Sequence, residues 1–341
     1  MFRIFRLGII VLSIATIVLA AFGLVGSYKN EGYLTKIYLL DLHLTDLKLS
    51  KLLTAASTSK RSLLPDVTSS VSLASSAASD LDSAISDVVG DVSYKDLGLS
   101  DVYSVSFWGY CRGSVKGSEK SKDGFDNTNV NFTWCSKPTP GYFVDPLSIF
   151  RHELNRTVNK EVSGDDVISS TIRTDLSTIV DNMTYKNLDL PGSLYDNLKL
   201  LNNLTKASFA LILISIILAF ISVVIQIVGC CVDPSNCCLS VLNFVLQFAT
   251  FLTGAIGAGI ATGAYYYVRG QINSNTKSYD IKSFLSIAFY AFVWSSVASS
   301  ILVILFSLIG HCCGSCGGRK YKAVSPASSP DMGYEYEKSY H

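Results

Sequence analysis

The chain has 341 residues, a formal net charge of +1, 49% hydrophobic residues and only 16% charged ones. That balance is too apolar for an ordinary soluble domain of this length. Near-neutral charge also excludes the basic footprint on which nucleic-acid binding depends.

In chain order, residues 1–6 form a short basic start with Arg3 and Arg6, and residues 7–28 then lack Asp, Glu, Lys and Arg. A helix needs about 20 apolar residues to cross the hydrocarbon of a bilayer. Inside lipid the backbone must satisfy its own hydrogen bonds, so residues 7–28 are expected to be a first transmembrane helix. A cleaved signal peptide would share the basic start and small-residue end. The apolar run is longer than the roughly 7–15 residues of a signal core, which favours a retained span.

Residues 29–206 are polar enough for an extracellular domain. "IYLLDLHLTDLKL", "DVYSVSFWGYC" and "NVNFTWC" carry strand propensity and read as strands of a small antiparallel sheet. Between the first two, Leu64, Val67, Val71, Ala74, Ala78, Leu81, Ile85, Val88 and Val92 step by three and four, the pattern of an a/d seam. A second helical stretch is expected near 162–185, with Ile168, Ile172, Leu176, Ile179 and Met183 on one stripe. These helices would pack on each other or on the sheet, or form a coiled-coil interface with a neighbouring molecule. The many serines after Pro65 also suit a flexible O-glycosylated segment.

Three further uncharged runs complete the set. They predict spans at 207–229, 239–267 and 283–310, a loop at 230–238, a short extracellular loop at 268–282 and a polar tail at 311–341. The expected class is therefore an α-helical membrane protein with a four-transmembrane-helix bundle.

Sidedness follows from sequons and sulfur. Asn131-Phe-Thr, Asn155-Arg-Thr, Asn182-Met-Thr and Asn203-Leu-Thr all fall in 29–206, which fits a lumenal or extracellular segment with Asn131, Asn155 and Asn182 as glycosylation candidates. Asn203 lies too near the second span for easy modification. Only Cys111 and Cys135 share that segment, and two cysteines alone in an oxidising space make a disulfide pair. Arg3, Arg6, Arg319, Lys320 and Lys322 favour cytosolic termini, although Arg269, Lys277 and Lys282 in the short outer loop vote the other way.

Several motifs have more than one reading. Gly257, Gly259 and Gly263 mimic a dinucleotide loop, with Asp280 about 20 residues on, but no βαβ context surrounds them. Gly259 and Gly263 instead form G-x-x-x-G, which predicts close helix packing in lipid. Gln226, Asn243 and Gln247 are polar but uncharged, which disfavours a pump or carrier. Cys230, Cys231, Cys237, Cys238, Cys312, Cys313 and Cys316 gather at one membrane face as palmitoylation candidates; free thiols, or a zinc site using Cys313 and Cys316, are the alternatives. In the tail, Ser325-Pro, Ser329-Pro and Tyr321-Lys-Ala-Val have the form of phosphorylation and endocytic signals, and an inert tail is preferred to either. His43, His152, His311 and His341 sit near no nucleophile or metal set, so neither enzymatic activity nor a cofactor is expected.

The stretch "LGLSDVYSVSFWGYCRG", followed by Cys135, resembles the signature of the fungal Sur-seven/PalI family, four-span plasma-membrane proteins distantly similar to claudins. Gly98, Leu99, Asp101, Tyr103, Trp108, Gly109, Tyr110 and Cys111 carry that pattern. Trp108, Cys111 and Cys135 also match the claudin-like Trp-x-x-Cys with a downstream cysteine. The resemblance implies a sheet-bearing, disulfide-linked first outer loop over a left-handed bundle. It further implies residence in the plasma-membrane furrows called eisosomes, with roles in cell-wall integrity, endocytosis and cortical organisation. The short tail here differs from the long one usual in PalI-type pH-signalling members. The expected function is a structural tetraspan whose partners are membrane lipids, further copies of itself, other cortical membrane proteins and cell-wall components. The rival is a claudin-like cation channel or calcium-influx regulator, for which Asp80, Asp82, Asp87 and Asp91 are the candidate acids.

Overall fold

The computed structural model describes residues 2–45, 99–116, 121–122, 125–126, 130–142, 145–159, 193–231, 237–277 and 280–315. The predicted seam at 64–92, the second helical stretch at 162–185, Asp80, Asp82, Asp87, Asp91 and the tail from Cys316 lie outside the described residues. The described helices are α1 (Phe2–Val25), α2 (Pro146–Asn159), α3 (Ser193–Cys231), α4 (Cys237–Asn275) and α5 (Ile287–Ser315). Four of them, all but α2, are long and apolar enough to cross a membrane, over Leu7–Val25, Asp196–Gly229, Val241–Asn275 and Ile287–Ile309. They close a ring in which α1 touches α3 and α5, and α4 touches α3 and α5.

The α3–α4 contact is built on a seven-residue repeat. Ser208, Ser215 and Ser222 lie one heptad apart on α3 and are buried. They meet Gly257, Thr250 and Asn243, one heptad apart on the antiparallel α4. The Ser208 hydroxyl donates to the Gly257 carbonyl at 2.8 Å, Ser215 to the Thr250 carbonyl at 3.0 Å, and Ser222 to Asn243 Oδ1 at 2.9 Å. Small hydroxyl residues let helix backbones approach in lipid, where apolar side chains have no preference for each other over acyl chains.

The glycines on this surface correct one expectation. A Cβ on Gly257 would stand 3.0 Å from Ile212 Cγ1 and 3.2 Å from Leu211 Cβ, and one on Gly254 would stand 3.0 Å from Ser215 Oγ. Gly259 and Gly263 face open space. The close packing expected of the G-x-x-x-G pair is therefore performed within the bundle by Gly254 and Gly257. The reason is angular: 257 and 259 differ by two residues and so lie on nearly opposite sides of one helix.

Above one end of the bundle lies a seven-stranded sheet: β1 (Leu40–His43), β2 (Val102–Val105), β3 (Tyr110–Val115), β4 (Ser121–Lys122), β5 (Phe125–Asp126), β6 (Val130–Cys135) and β7 (Lys282–Ser286). Their spatial order is β4-β5-β7-β1-β2-β3-β6. Every pairing is antiparallel except β5 with β7, which is parallel. Three expectations change here. The sheet is mixed at one join. "DVYSVSFWGYC" is a hairpin, β2 and β3 about a turn at 106–109, and not one strand. Residues 283–286, expected to open the fourth span, are β-structure, and β7 enters the sheet between β5 and β1.

Strand alternation divides the sheet into two faces. Leu40, Leu42, Tyr103, Val105, Tyr110 and Leu285 point one way. Leu40 and Leu285 join a core with Leu198 and Leu201 of α3 and Tyr290 of α5, while Tyr103, Val105 and Tyr110 pack with Ile149 of α2. The α3 and α4 helices run on past their predicted spans toward this end. Exposed Tyr28, Tyr266, Tyr267 and Trp294 lie just after α1 and in the sheet-end halves of α4 and α5, residue types enriched at a membrane–water interface. Beyond Tyr267, α4 continues to Asn275, about 12 Å at helical rise.

Candidate functional site

The residues of the signature come together as the joint between sheet and bundle. The turn at 106–109 is closed by Ser106, whose backbone N–H and hydroxyl both donate to the Gly109 carbonyl, at 2.8 and 3.2 Å. That turn thrusts two aromatic rings toward the helices. Phe107 is buried and makes edge contacts at 5.7 Å with Phe209 of α3 and Phe289 of α5. Trp108 packs edge-on to Tyr28 at 5.2 Å and Phe209 at 5.3 Å. Its indole N–H donates to the Leu24 carbonyl at 2.7 Å. That carbonyl belongs to the last turn of α1, where no helical N–H remains to bind it, so the indole caps a membrane helix from above.

The chain after β6 braces the turn. Thr139 N–H donates to the Trp108 carbonyl at 2.7 Å and Tyr142 N–H to the Phe107 carbonyl at 3.0 Å. Gly109 allows this approach: a Cβ there would collide with the Ser136 hydroxyl, which accepts from the Tyr110 N–H at 3.0 Å. The disulfide lies next to the brace. Cys111 and Cys135 are directly opposed on β3 and β6, with Cα atoms 4.0 Å apart and a sulfur–sulfur bond of 2.03 Å. Cys111 is fully buried. The expected pairing is present, tying the two neighbouring strands.

The other signature residues hold strand ends. Asp101 is buried; its carboxylate accepts from the Val115 N–H at 3.1 Å and its carbonyl from the Leu44 N–H at 2.8 Å, locking β3 and the end of β1 around β2. Tyr103 Oη accepts from the Ser100 N–H at 3.0 Å. Gly98 lies outside the described residues.

Sequence reasoning missed the charged cluster beneath α2. Glu153 is fully buried, yet its carboxylate accepts from the Tyr110 hydroxyl at 2.8 Å and from the Arg112 guanidinium at 2.6 Å, with Arg156 Nε 3.4 Å away. Arg112 also lies 4.5 Å over the Trp134 ring. Burial pushes the Tyr103 phenol up to about 12; burial, with Asp145 nearby, does the same to Tyr142. Tyr110 is pushed up further, by burial first and by Glu153 second. The available signal was the spacing of Ile149 and Glu153 on "PLSIFRHELNRTVN", which puts both on one helical face. Asp41 and His43 form a second buried pair, Oδ2 to Nε2 at 3.0 Å, and Asp41 also accepts from the β7 Phe284 N–H at 3.1 Å.

Of the sequon residues, Asn131 is exposed beside exposed Thr133 on β6, Asn155 is exposed on α2, and Asn182 lies outside the described residues. Thr205 of the fourth sequon is buried against Tyr265 Oη at 3.0 Å. Cys230 and Cys231 end α3, Cys237 and Cys238 begin α4, and Cys312 and Cys313 fall in the last turn of α5, all at the bundle end remote from the sheet. Cys316 lies outside the described residues.

Comparison with known proteins gives the same placement. The chain is similar to the SUR7 family protein pun1 of Schizosaccharomyces pombe, 22% identical over 234 residues. That match covers 69% of this chain and 66% of the relative, just under two thirds of its length. No solved structure matches the chain. The SUR7/PalI family model matches residues 5–306, a stretch that takes in the capped first helix, the stapled hairpin, the late strand and nearly all of the last span. The matched stretch spans the membrane bundle together with Trp108 and the Cys111–Cys135 pair, and the chain belongs to the SUR7/PalI family.

Proposed function

We propose that the chain is a non-enzymatic structural tetraspan of the fungal plasma membrane that organises eisosome-type cortical domains and supports cell-wall integrity. The observation that carries this reading is the joint itself. Trp108 caps α1 while Phe107 wedges against α3 and α5, so the sheet is a rigid extension of the bundle. A stiff body that couples the lipid phase to the layer above it suits a scaffold that collects lateral neighbours, among them further copies of itself, other cortical proteins and cell-wall components.

Orientation follows from the same physics. The disulfide needs an oxidising compartment, and two accessible sequons, at Asn131 and Asn155, share its side. Both termini would then be cytosolic. The cysteines gathered at the remote end would carry palmitoyl chains that bias the protein toward ordered lipid. Glycosidase treatment should lower the apparent mass, and thioester-specific labelling should report the acyl groups.

Photobleaching recovery of a tagged copy in living cells tests the function. Immobile cortical patches are expected. Rapid, uniform diffusion would overturn the reading. Between α3 and α4 the buried polar side chains that face each other are neutral, which gives no support to ion conduction through that seam.

A further inference from the structure

We propose that the bundle holds an internal water site at the end remote from the sheet, where one water molecule bridges Gln226 and Gln247. Six neutral polar residues from all four membrane helices converge there: Ser13 of α1, Ser222 and Gln226 of α3, Asn243 and Gln247 of α4, and Ser307 of α5. Gln226 Nε2 donates to Ser222 Oγ at 3.0 Å and stands 3.4 Å from Ser13 Oγ and 3.5 Å from Asn243 Oδ1. Gln247 Oε1 accepts from the Ser307 hydroxyl at 2.7 Å.

Each amide is therefore tied by one of its two polar atoms. The other atom is buried without a protein partner: Oε1 of Gln226 and Nε2 of Gln247. Gln247 as a whole is only 4% exposed. An unsatisfied buried group costs about 1–3 kcal/mol. The two orphans are opposite in kind, one an acceptor and one a donor.

That opposition selects the ligand. A cation would satisfy Oε1 and be repelled by the amide N–H. An anion would do the reverse, and no charged side chain of this cluster offsets either. Water donates to one and accepts from the other. Ser222 pairs with Asn243, and Gln226 and Gln247 lie one turn to either side of that pair; helical side chains lean toward their own N-terminus, so on these antiparallel helices the two amides lean toward that level from opposite ends. A buried water normally makes two to four hydrogen bonds.

The chain contains three glutamines, Gln226, Gln247 and Gln271, which makes the test direct. The full chain is reconstituted in bilayers with side-chain 15N-glutamine and read by water-edited solid-state NMR. Gln271, at the sheet end of α4, is the hydrated reference. Early transfer of water magnetisation to the Gln247 amide, alongside Gln271, is expected. Gln247→Leu should then abolish early transfer to Gln226, because the bridge has lost one anchor, while the Gln271 signal stays in place as the check on folding. Gln247→Met replaces it if the leucine variant does not reconstitute. Transfer to Gln247 only at the slow rate of lipid-buried groups would overturn the proposal. So would water contact at Gln226 that survives either substitution undiminished.

Discussion

Trp108 serves the lipid-facing and the water-facing parts of the molecule at once. Its ring fills the joint and its N–H satisfies Leu24, so graded substitutions should cost increasing stability. Trp108→Phe keeps an aromatic ring but loses the hydrogen bond and part of the ring's packing, at least about 1 kcal/mol. Trp108→Ala should lose the ring as well, about 3–5 kcal/mol. Thermal unfolding in a fixed detergent measures both. Glu153 makes a different demand, because removing it leaves the Tyr110 hydroxyl and the Arg112 guanidinium without their acceptor. Breaking such a buried pair costs about 3–5 kcal/mol, so Glu153→Ala should release α2 and expose it to limited proteolysis. The phenols set a pH limit. Below pH 10 folded and unfolded chains both keep their tyrosine protons. Above it the unfolded chain releases protons that Tyr103 and Tyr142 retain up to about 12. Stability should therefore fall as pH rises from 10 toward 12, and tyrosinate absorbance should appear together with loss of the sheet.

At the scale of elements, the hydroxyl heptads of α3 and α4 decide which helix faces meet. Gly257→Ala forces a methyl against Ile212 and Leu211 and should lower the unfolding temperature. Gly259→Ala meets nothing in this chain and should be neutral or slightly stabilising, since alanine is the better helix former. The same contrast shows what was legible beforehand. Charge-free runs located the four membrane helices, because exclusion of charge from lipid is a strong constraint, but carried no signal for where α3 and α4 continue beyond it. The two cysteines gave the staple through their isolation from the other seven. The packing seam was misplaced because G-x-x-x-G is conspicuous, while Ser208, Ser215 and Ser222 looked like ordinary polar interruptions; their seven-residue spacing was the usable signal. "KSFLS" was hidden for another reason. An apolar strand that runs straight into a membrane helix has no hydropathy boundary, and its partners, β1 and β5, lie far back in sequence. Glu153 shares a helical face with Ile149, but that spacing does not name its partners, since Tyr110 and Arg112 come from a strand about 40 residues earlier.

For the whole molecule, the sheet and the bundle share one core, in which Leu40, Phe107, Leu198, Leu285 and Tyr290 belong together. Reducing the disulfide releases a crosslink whose cysteines are separated by 24 positions, worth about 3 kcal/mol in the chain-entropy account. The paired substitution Cys111→Ser with Cys135→Ser should therefore loosen β3 from β6 without abolishing insertion of the four helices. Protease sensitivity of the sheet, set against an intact transmembrane fragment, distinguishes this from global unfolding.

The position of β7 has a consequence for biogenesis. While the ribosome is still making α4, the chain already contains the hairpin and both cysteines of the sheet, yet a slot stays open between β5 and β1. Only when Lys282–Ser286 emerges, with α5 close behind, can that slot be filled. A transcript broken off before codon 282 would therefore yield a polypeptide whose first three spans insert while its sheet exposes two unpaired strand edges to quality control.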